Sequence, residues 1–412
     1  MTQHVAVIGA GIVGVSTAIW LRRLGADVTL IDRAAPGTGT SHGNAGVLAA
    51  CSVTPVTSPG LLTKAPGMLL SRDVPLYLRW GYLPKLVPWL LRYLSHATDS
   101  ETRRIARALA PITADTVAQH KALTDDLGLE RWINDSDYVF AYTDRAAFDR
   151  DAYTWSLRGD AGFAPDLIEG NAVRDYEPAL GRDITCLAVM RDHGFIADPG
   201  GYVAALAQAF RNMGGKVIVA EVKDFNLSDG KIDTIETTEG PIACDDAVLA
   251  TGVWSKPLMA KLGLRVPLES ERGYHIVFAD ATGGPSRPTM IAAGKFVATP
   301  MTEGLRCAGV IEFGGLAAEP SRAPLALLRA QAEAAFPHLQ AQREIEWLGH
   351  RPAPSDSLPL IGQVGTTRVY TAFGHHHIGL TGGPKTGRLL AGLIAGSPAN
   401  TDLTAYHPQR FA

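Results

Sequence analysis

The sequence has little of what marks several large protein classes. Four cysteines, at 51, 186, 244 and 307, stand among 412 residues, and no two form a Cys-x-x-Cys pair. That usage speaks against a disulfide framework, a structural zinc site or an iron–sulfur cluster, and a reducing compartment is expected. No apolar run reaches the ~18 residues that a membrane-spanning helix needs. A glycine motif opens at residue 9, so no cleavable secretory leader is expected before it. Lysine and arginine total 38 against 41 aspartates and glutamates, a net charge of −3 without the basic excess that nucleic-acid binding requires. What the chain does have is 46% hydrophobic and 19% charged residues, the composition of a folded globular protein. Its length exceeds one ordinary core, so two domains are expected.

The first 32 residues read as a strand–helix–strand unit. Val5-Ala6-Val7-Ile8 is a continuous apolar run that stops at glycine, the pattern of a short buried strand. Helical spacing follows from Ile12 to Leu24 and ends at Gly25; Val28-Thr29-Leu30-Ile31 is then a second strand closing at Asp32. Between the first strand and the helix lies Gly9-Ala10-Gly11-Ile12-Val13-Gly14. A Gly-x-Gly-x-x-Gly alone is a weak signal, but here strand, helix and terminal acid are all in place. Gly9 permits the tight turn, Gly11 lets backbone approach a pyrophosphate, and Gly14 lets helix and strand pack closely. Free N–H groups at the helix N-terminus, around Ile12 and Val13, suit the anion. Asp32, with Arg33 beside it, is placed to bind ribose hydroxyls and to repel a 2′-phosphate. A dinucleotide is expected, and this unit alone does not separate NAD from FAD.

Farther on, Pro55, Pro59, Pro66, Pro75, Pro84 and Pro88 punctuate a stretch rich in Leu, Trp and Tyr. Residues 61–94 read either as an interfacial segment that meets a membrane or as short helices covering a domain with aromatics packed inward. The prolines at 75, 84 and 88 speak against one long membrane-lying helix. Helical spacing returns over 102–127; strands are expected at 138–142 and 185–190, a helix from Asp198 to about 213, and strands at 216–220 and 247–251. Strands dominate 268–313, 322–336 is an amphipathic helix, and a last helix runs from about Thr386 to Ala395. The expected class is α/β in two interleaved domains. Residues 1–55, 195–267 and 345–412 would form a Rossmann-like cofactor domain, and 56–194 and 268–344 a substrate domain with a mixed or antiparallel sheet.

Several separated segments carry a resemblance. Ser41-His42-Gly43-Asn44-Ala45-Gly46 is a small, polar loop soon after the second strand. Ala250-Thr251-Gly252-Val253-Trp254-Ser255 and Arg272-Gly273-Tyr274 follow. His350-Arg351-Pro352 then runs on through Asp356 and Pro359 to Ile361-Gly362, and Gly374-His375 with Gly387 closes the series. In this order the motifs resemble the D-amino-acid oxidase superfamily. Over nearly the whole chain they resemble the small, catalytic subunit of bacterial D-amino-acid dehydrogenases.

The resemblance implies FAD, with Ser41, His42, Asn44, Ala45 and Gly46 beside the flavin. It puts Val222, Thr251, Gly252 and Trp254 on the nucleotide side, and wraps Gly374, His375, Ile378, Gly379, Leu380 and Thr381 around the isoalloxazine ring. It implies that Arg351 grips the substrate carboxylate, as an arginine's fork does with two parallel hydrogen bonds; the other reading is an arginine that staples the C-terminal segment by a salt bridge. Tyr274 and His275 are candidates for the pocket wall, with core packing the competing role for Tyr274. Arg306 and Glu312 flank a strand that either lies beside the flavin or is a solvated edge. His377 departs from the family's pattern at a place where some relatives carry a substrate-binding group. Three adjacent histidines, 375–377, do not converge on one ion from regular structure, and no metal is expected. Arg351-Pro352 stands where monomeric sarcosine oxidases carry the cysteine that attaches FAD. Dissociable FAD is therefore expected, with His42 the residue left as a covalent alternative.

The implied reaction is oxidation of a D-amino acid, or a cyclic imino acid of the proline or hydroxyproline type, by hydride transfer from Cα to flavin N5. The imino product of a primary amine hydrolyses to a 2-oxo acid and ammonia. The alternatives are a glycine- or sarcosine-type oxidase using O₂, or the flavin subunit of a multi-subunit opine or hydroxyproline dehydrogenase. A quinone, a dye-like carrier or an electron-transfer partner is expected as acceptor, and no nucleic acid. The expected location is cytoplasmic, with peripheral contact at the inner face of the cytoplasmic membrane as the alternative.

Overall fold

The computed structural model describes residues 3–60, 75–397 and 400–412, and two large sheets share that chain in alternation. The first has six strands in the order Leu360–Gln363, Val369–Phe373, Asp246–Leu249, His4–Ile8, Asp27–Asp32 and Lys216–Val219. All neighbours are parallel except the first two, which form an antiparallel pair. Its central strands are mostly apolar because both faces are covered. Val5 and Val7 pack with the helices Ile12–Arg23 and Pro199–Asn212, whereas Ala6 and Ile8 pack with a three-stranded antiparallel layer spanning residues 222–243.

The C-terminal helix spans Gly379–Ile394 and so begins earlier than its sequence spacing indicates. Gly382, Gly383 and Pro384 hide its first turns, since all three are poor helix formers. Packing overrides propensity here. A Cβ on Gly387 would lie 2.6 Å from the Thr17 backbone nitrogen, so the glycine lets this helix lie directly on the 12–23 helix. The helical stretch expected over 102–127 is two helices, Asp99–Thr113 and Thr116–Thr124, the first capped by Thr98, which accepts from Glu101 N at 3.3 Å.

The second sheet is built along the path Arg343–Pro354, Leu268–Ala279, Gly304–Phe313, Phe296–Met301, Thr289–Ile291, Asn134–Tyr142, Cys186–Phe195 and Val47–Leu48, with two short strands at its flanks. The sequence boundary at 345 cuts through its first strand. Every residue from 343 to 354 pairs with the 268–279 strand, so the chain rejoins the six-stranded sheet only at Leu360. Side chains alternate between faces with the period of two that a strand imposes. Tyr274, Ile276 and Phe278 enter a core with Leu325 and Leu328 of the helix Arg322–Ala335, while Glu271 and Gly273 border a cavity on the other side.

The proline-broken stretch resolves into two environments. On the helix Leu83–Ser95, Trp89 and Tyr93 pack inward, and Trp89 Nε1 donates to Ala353 O at 2.9 Å. Trp80 and Leu91 face outward, 59% and 65% exposed. Residues 61–74, on which half of the interfacial reading rests, lie outside the described residues. Among the described residues no helix is long and apolar enough to cross a membrane.

Candidate active site

A cavity of about 830 Å³ runs from the glycine loop, past the 41–47 loop, to the 374–381 segment and over one face of the second sheet. Its nucleotide end is built by close backbone approach. Gly9 has φ +109°, and a Cβ there would sit 2.4 Å from Ala250 O. A Cβ on Gly14 would come within 1.8 Å of Gly9 O. Gly11, the N-cap of the helix that starts at Ile12, has no side chain to cap it, and Ile12 N donates to Ser41 Oγ at 3.1 Å. The carboxylate of Asp32 accepts from Ala10 N at 2.6 Å and Ala34 N at 3.0 Å, which fixes the turn. Arg33 lies 4.1 Å over the Trp254 ring, and Val222, Thr251 and Gly252 complete this wall.

The 41–46 loop is fastened to the second sheet from below. Arg306 Nη1 donates to His42 O at 2.9 Å and Asn44 O at 2.7 Å, and His275 Nδ1 donates to Gly43 O at 3.1 Å. Trp347 stacks on His275 at 5.0 Å and lies against Gly43, where a Cβ would meet its ring at 1.9 Å. Asn44 Oδ1 accepts from Gly46 N at 2.9 Å, and Gly46 takes φ +78° to turn the chain into Val47. Arg306 is thus buried and structural, not a solvated edge residue.

At the far side the strand pairing puts Arg351 opposite Glu271. Arg351 Nη1 lies 3.7 Å from Glu271 Oε2, an ion-pair distance longer than a hydrogen bond, so the guanidinium keeps donors for another carboxylate. It rests over Gly273, where a Cβ would be 2.8 Å from Cζ. His376 Nε2 lies 3.1 Å from the same Glu271 oxygen, and its Nδ1 is 2.7 Å from His377 Nδ1. His376 holds φ +51°, an uncommon backbone state for a residue other than glycine. Burial raises the Glu271 carboxyl against the pull of Arg351. Burial, with the Arg351 charge added, holds the His376 imidazole down at about 3. His377 is exposed where it borders the cavity. His375 turns instead to Thr386 Oγ1 at 2.9 Å, and burial lowers it to about 4. His375 therefore points away from the other two rings, which meet each other.

Sequence matching places this geometry. Residues 4–393 match the profile of the family described as FAD dependent oxidoreductase. The chain belongs to that family. It is 40% identical to a D-amino-acid oxidase of Bradyrhizobium diazoefficiens, over 99% of both chains. It is 26% identical to a D-amino acid dehydrogenase of Helicobacter pylori, over 95% of both. Its fold matches a glycine oxidase from Geobacillus kaustophilus with a TM-score of 0.76 at 20% identity, covering 100% of each chain.

FAD fits the residues present. The helix N-terminus, with a side-chain-free Gly11 N-cap, and the glycine cradle suit its pyrophosphate, and the cavity continues far enough to take an extended dinucleotide. Of the residues named from sequence, Gly9, Gly11, Ile12, Val13, Asp32, Arg33, Ser41, Asn44, Ala45, Val222, Thr251, Gly252 and Trp254 border the cavity, as do Gly374, His375, Gly379, Leu380 and Thr381. Gly14 and Gly46 shape it from behind. Ile378 lies in the hydrophobic core, and the His42 ring leans toward Trp347 and Gly200 instead of lining the cavity. Arg351, His377 and Tyr274 all border the cavity, but the Tyr274 hydroxyl does not join the other two side chains. It donates to Glu312 Oε2 at 2.8 Å and accepts from Ser321 N at 2.9 Å on the core face of the sheet. Sequence reading missed Glu271 altogether. The available signal was parity: Glu271 shares the face of Gly273, two positions on, whereas Tyr274 does not.

Proposed function

We propose that this flavoenzyme oxidises D-amino acids or cyclic imino acids, and that Arg351 and Glu271 together recognise the substrate's zwitterion. The side-by-side cation and anion on the cavity floor carry the reading, because an amino acid presents the complementary pair. Arg351 takes the α-carboxylate by two parallel hydrogen bonds. Glu271 faces the α-ammonium and accepts its proton, for which a carboxyl raised by burial is suited. FAD, when bound, supplies the acceptor for the Cα hydrogen and its electron pair. The neutral histidines bring no charge to compete with Arg351 and Glu271, so orientation is the protein's main contribution. Loss of the Cα hydrogen with its electron pair leaves C=N, which water hydrolyses to a 2-oxo acid and ammonia when the amine is primary. The D configuration is supported by the relative that is 40% identical.

Anaerobic mixing of the holoenzyme with D- and L-amino acids tests the reading: D-enantiomers should bleach the flavin and L-enantiomers should not. Bleaching by L-enantiomers alone would overturn the stereochemistry. Arg351→Ala should raise KM steeply while the flavin spectrum persists. The relatives carry both oxidase and dehydrogenase names, so the acceptor is assigned by product: peroxide equal to substrate consumed identifies O₂, and turnover only with quinone or dye identifies a dehydrogenase. FAD is dissociable in this reading, and a flavin-coloured pellet after acid precipitation would refute that.

A further inference from the structure

We propose that the end of this cavity remote from Arg351 holds a second carboxylate site built on Arg158, so that the preferred substrate carries an anionic group beyond its α-carboxylate. The proposal rests on the reading of Arg351 given above. Arg158 projects from the helix Ala152–Asp160, is only 8% exposed, and nevertheless borders the cavity. Among the described residues no carboxylate pairs with it, and its Nε and Nη1 have no hydrogen-bond partner. Arg272 and Arg306 also leave guanidinium nitrogens without a hydrogen bond, but Arg272 has Glu312 at 3.1 Å and Arg306 donates to two carbonyls, whereas no such oxygen meets Arg158 among the described residues. Around Arg158 stand the Phe140 and Trp155 rings, each with its centroid 4.5 Å from Cζ. Rings hold a cation by its face and leave its in-plane N–H groups unsatisfied. The neighbouring Cys51 thiol brings no negative charge, since burial pushes it up to about 11.

The floor leading to Arg158 is legible from the strand register. Ala308 pairs with Val297, Val297 with Met290, and Met290 with Phe140, which lies beneath Arg158, and all four border the cavity. From Ala308 onward this row is apolar and suits a methylene chain. The cavity's other acids lie elsewhere: Asp32 and Glu221 at the nucleotide end, and Glu271 beside Arg351. A ligand with a carboxylate at each end and methylenes between them matches this distribution, because a guanidinium fork receives a carboxylate with two hydrogen bonds.

The test uses the holoenzyme with two series of increasing chain length. Saturated α,ω-dicarboxylates and equally long monocarboxylates are compared by Kd, from perturbation of the flavin spectrum and from thermal shift. D-2-amino diacids and their uncharged isosteres are compared by kcat/KM. One chain length of diacid should be favoured by about tenfold or more, and Arg158→Leu should collapse that ratio toward one, with Arg158→Lys restoring part of it. The proposal falls if no diacid of any length is preferred by the wild-type enzyme. It also falls if Arg158→Leu weakens monoacids and diacids equally, the mark of a purely structural arginine. Simultaneous binding of a small monocarboxylate at Arg158 and a neutral amino acid at Arg351 would overturn the claim that one substrate spans both. A diacid preference that depends on Arg158, in an enzyme whose flavin no D-amino acid bleaches, would refute the proposed reaction and leave the carboxylate site standing.

Discussion

Gly273→Ala tests the carboxylate clamp without altering Arg351. The added Cβ would lie 2.8 Å from Arg351 Cζ, 2.9 Å from Nη2 and 3.0 Å from Nε, closer than van der Waals contact allows. Gly273 is held in the sheet opposite Gly349 and Ile311, and it is not among the glycines with positive φ, so alanine suits the backbone. The guanidinium, at the end of a flexible side chain, is the part that yields. A charge-assisted hydrogen bond contributes about 1.5–3 kcal/mol, so losing one of the clamp's two should lower kcat/KM roughly 10- to 150-fold, chiefly through KM. Steady-state kinetics with a D-amino acid reads this, with flavin absorbance per chain and Tm as controls expected to hold. The decisive comparison is a double-mutant cycle: in an Arg351→Ala background, Gly273→Ala should add almost nothing, because both changes remove the same interaction. Full activity in Gly273→Ala, or additive losses in the double variant, would refute the clamp.

Three further outcomes are expected. Gly14→Ala sets a Cβ 1.8 Å from the Gly9 carbonyl, where backbone has no room to move, so the protein should purify without flavin absorbance; full FAD occupancy would contradict the cradle. His120 is buried, with Nε2 donating to Leu380 O at 3.0 Å and Nδ1 accepting from Tyr202 OH at 3.0 Å, and burial lowers it from 6.5 to about 4. A depressed folded pKa means stability is complete above the unfolded value and lost as pH falls through the interval from 6.5 to about 4, so Tm should drop there and drop less in His120→Gln. Glu312→Gln should leave the fully buried Arg272 charge unanswered and lower unfolding free energy by about 3–5 kcal/mol, read from urea denaturation.

The nucleotide end is legible in the sequence because its contacts are local. Gly14 lies against the Gly9 carbonyl and Asp32 accepts from Ala10 N within a single strand–helix–strand unit, although Gly9 is also required by the distant Ala250 carbonyl. The substrate end is not local. Glu271 and Arg351 meet only because two antiparallel strands pair in one register, and a shift of one residue would put Arg272 or Tyr274 on the cavity face in place of Glu271. Motif reading therefore favours Tyr274, the conspicuous residue beside Gly273, whereas strand alternation sends its hydroxyl into the core with Glu312. The start of the last helix is obscured for a related reason. Its glycines are poor helix formers, kept because another helix lies against them, and propensity does not register that neighbour.

Four arginines make the same point about charge. In the sequence the His350-Arg351-Pro352 motif singles out Arg351, but nothing in the residues around Arg158 sets it apart from Arg272 or Arg306. In the fold each is defined by what answers its guanidinium. Arg272 faces Glu312 at 3.1 Å and serves the core, and Arg306 donates to two loop carbonyls and serves the cofactor loop. Arg351 is only half answered, at 3.7 Å from Glu271, and keeps donors for a ligand. Arg158 has aromatic faces about it and no anion among the described residues. Burying a charge without a partner is costly, so the two arginines on the cavity whose charges are least compensated are those where a substrate's own carboxylates would contribute most to binding. Counting unanswered charges along the cavity thus connects the fold to substrate choice, and it points to an amino acid with an acid at either end.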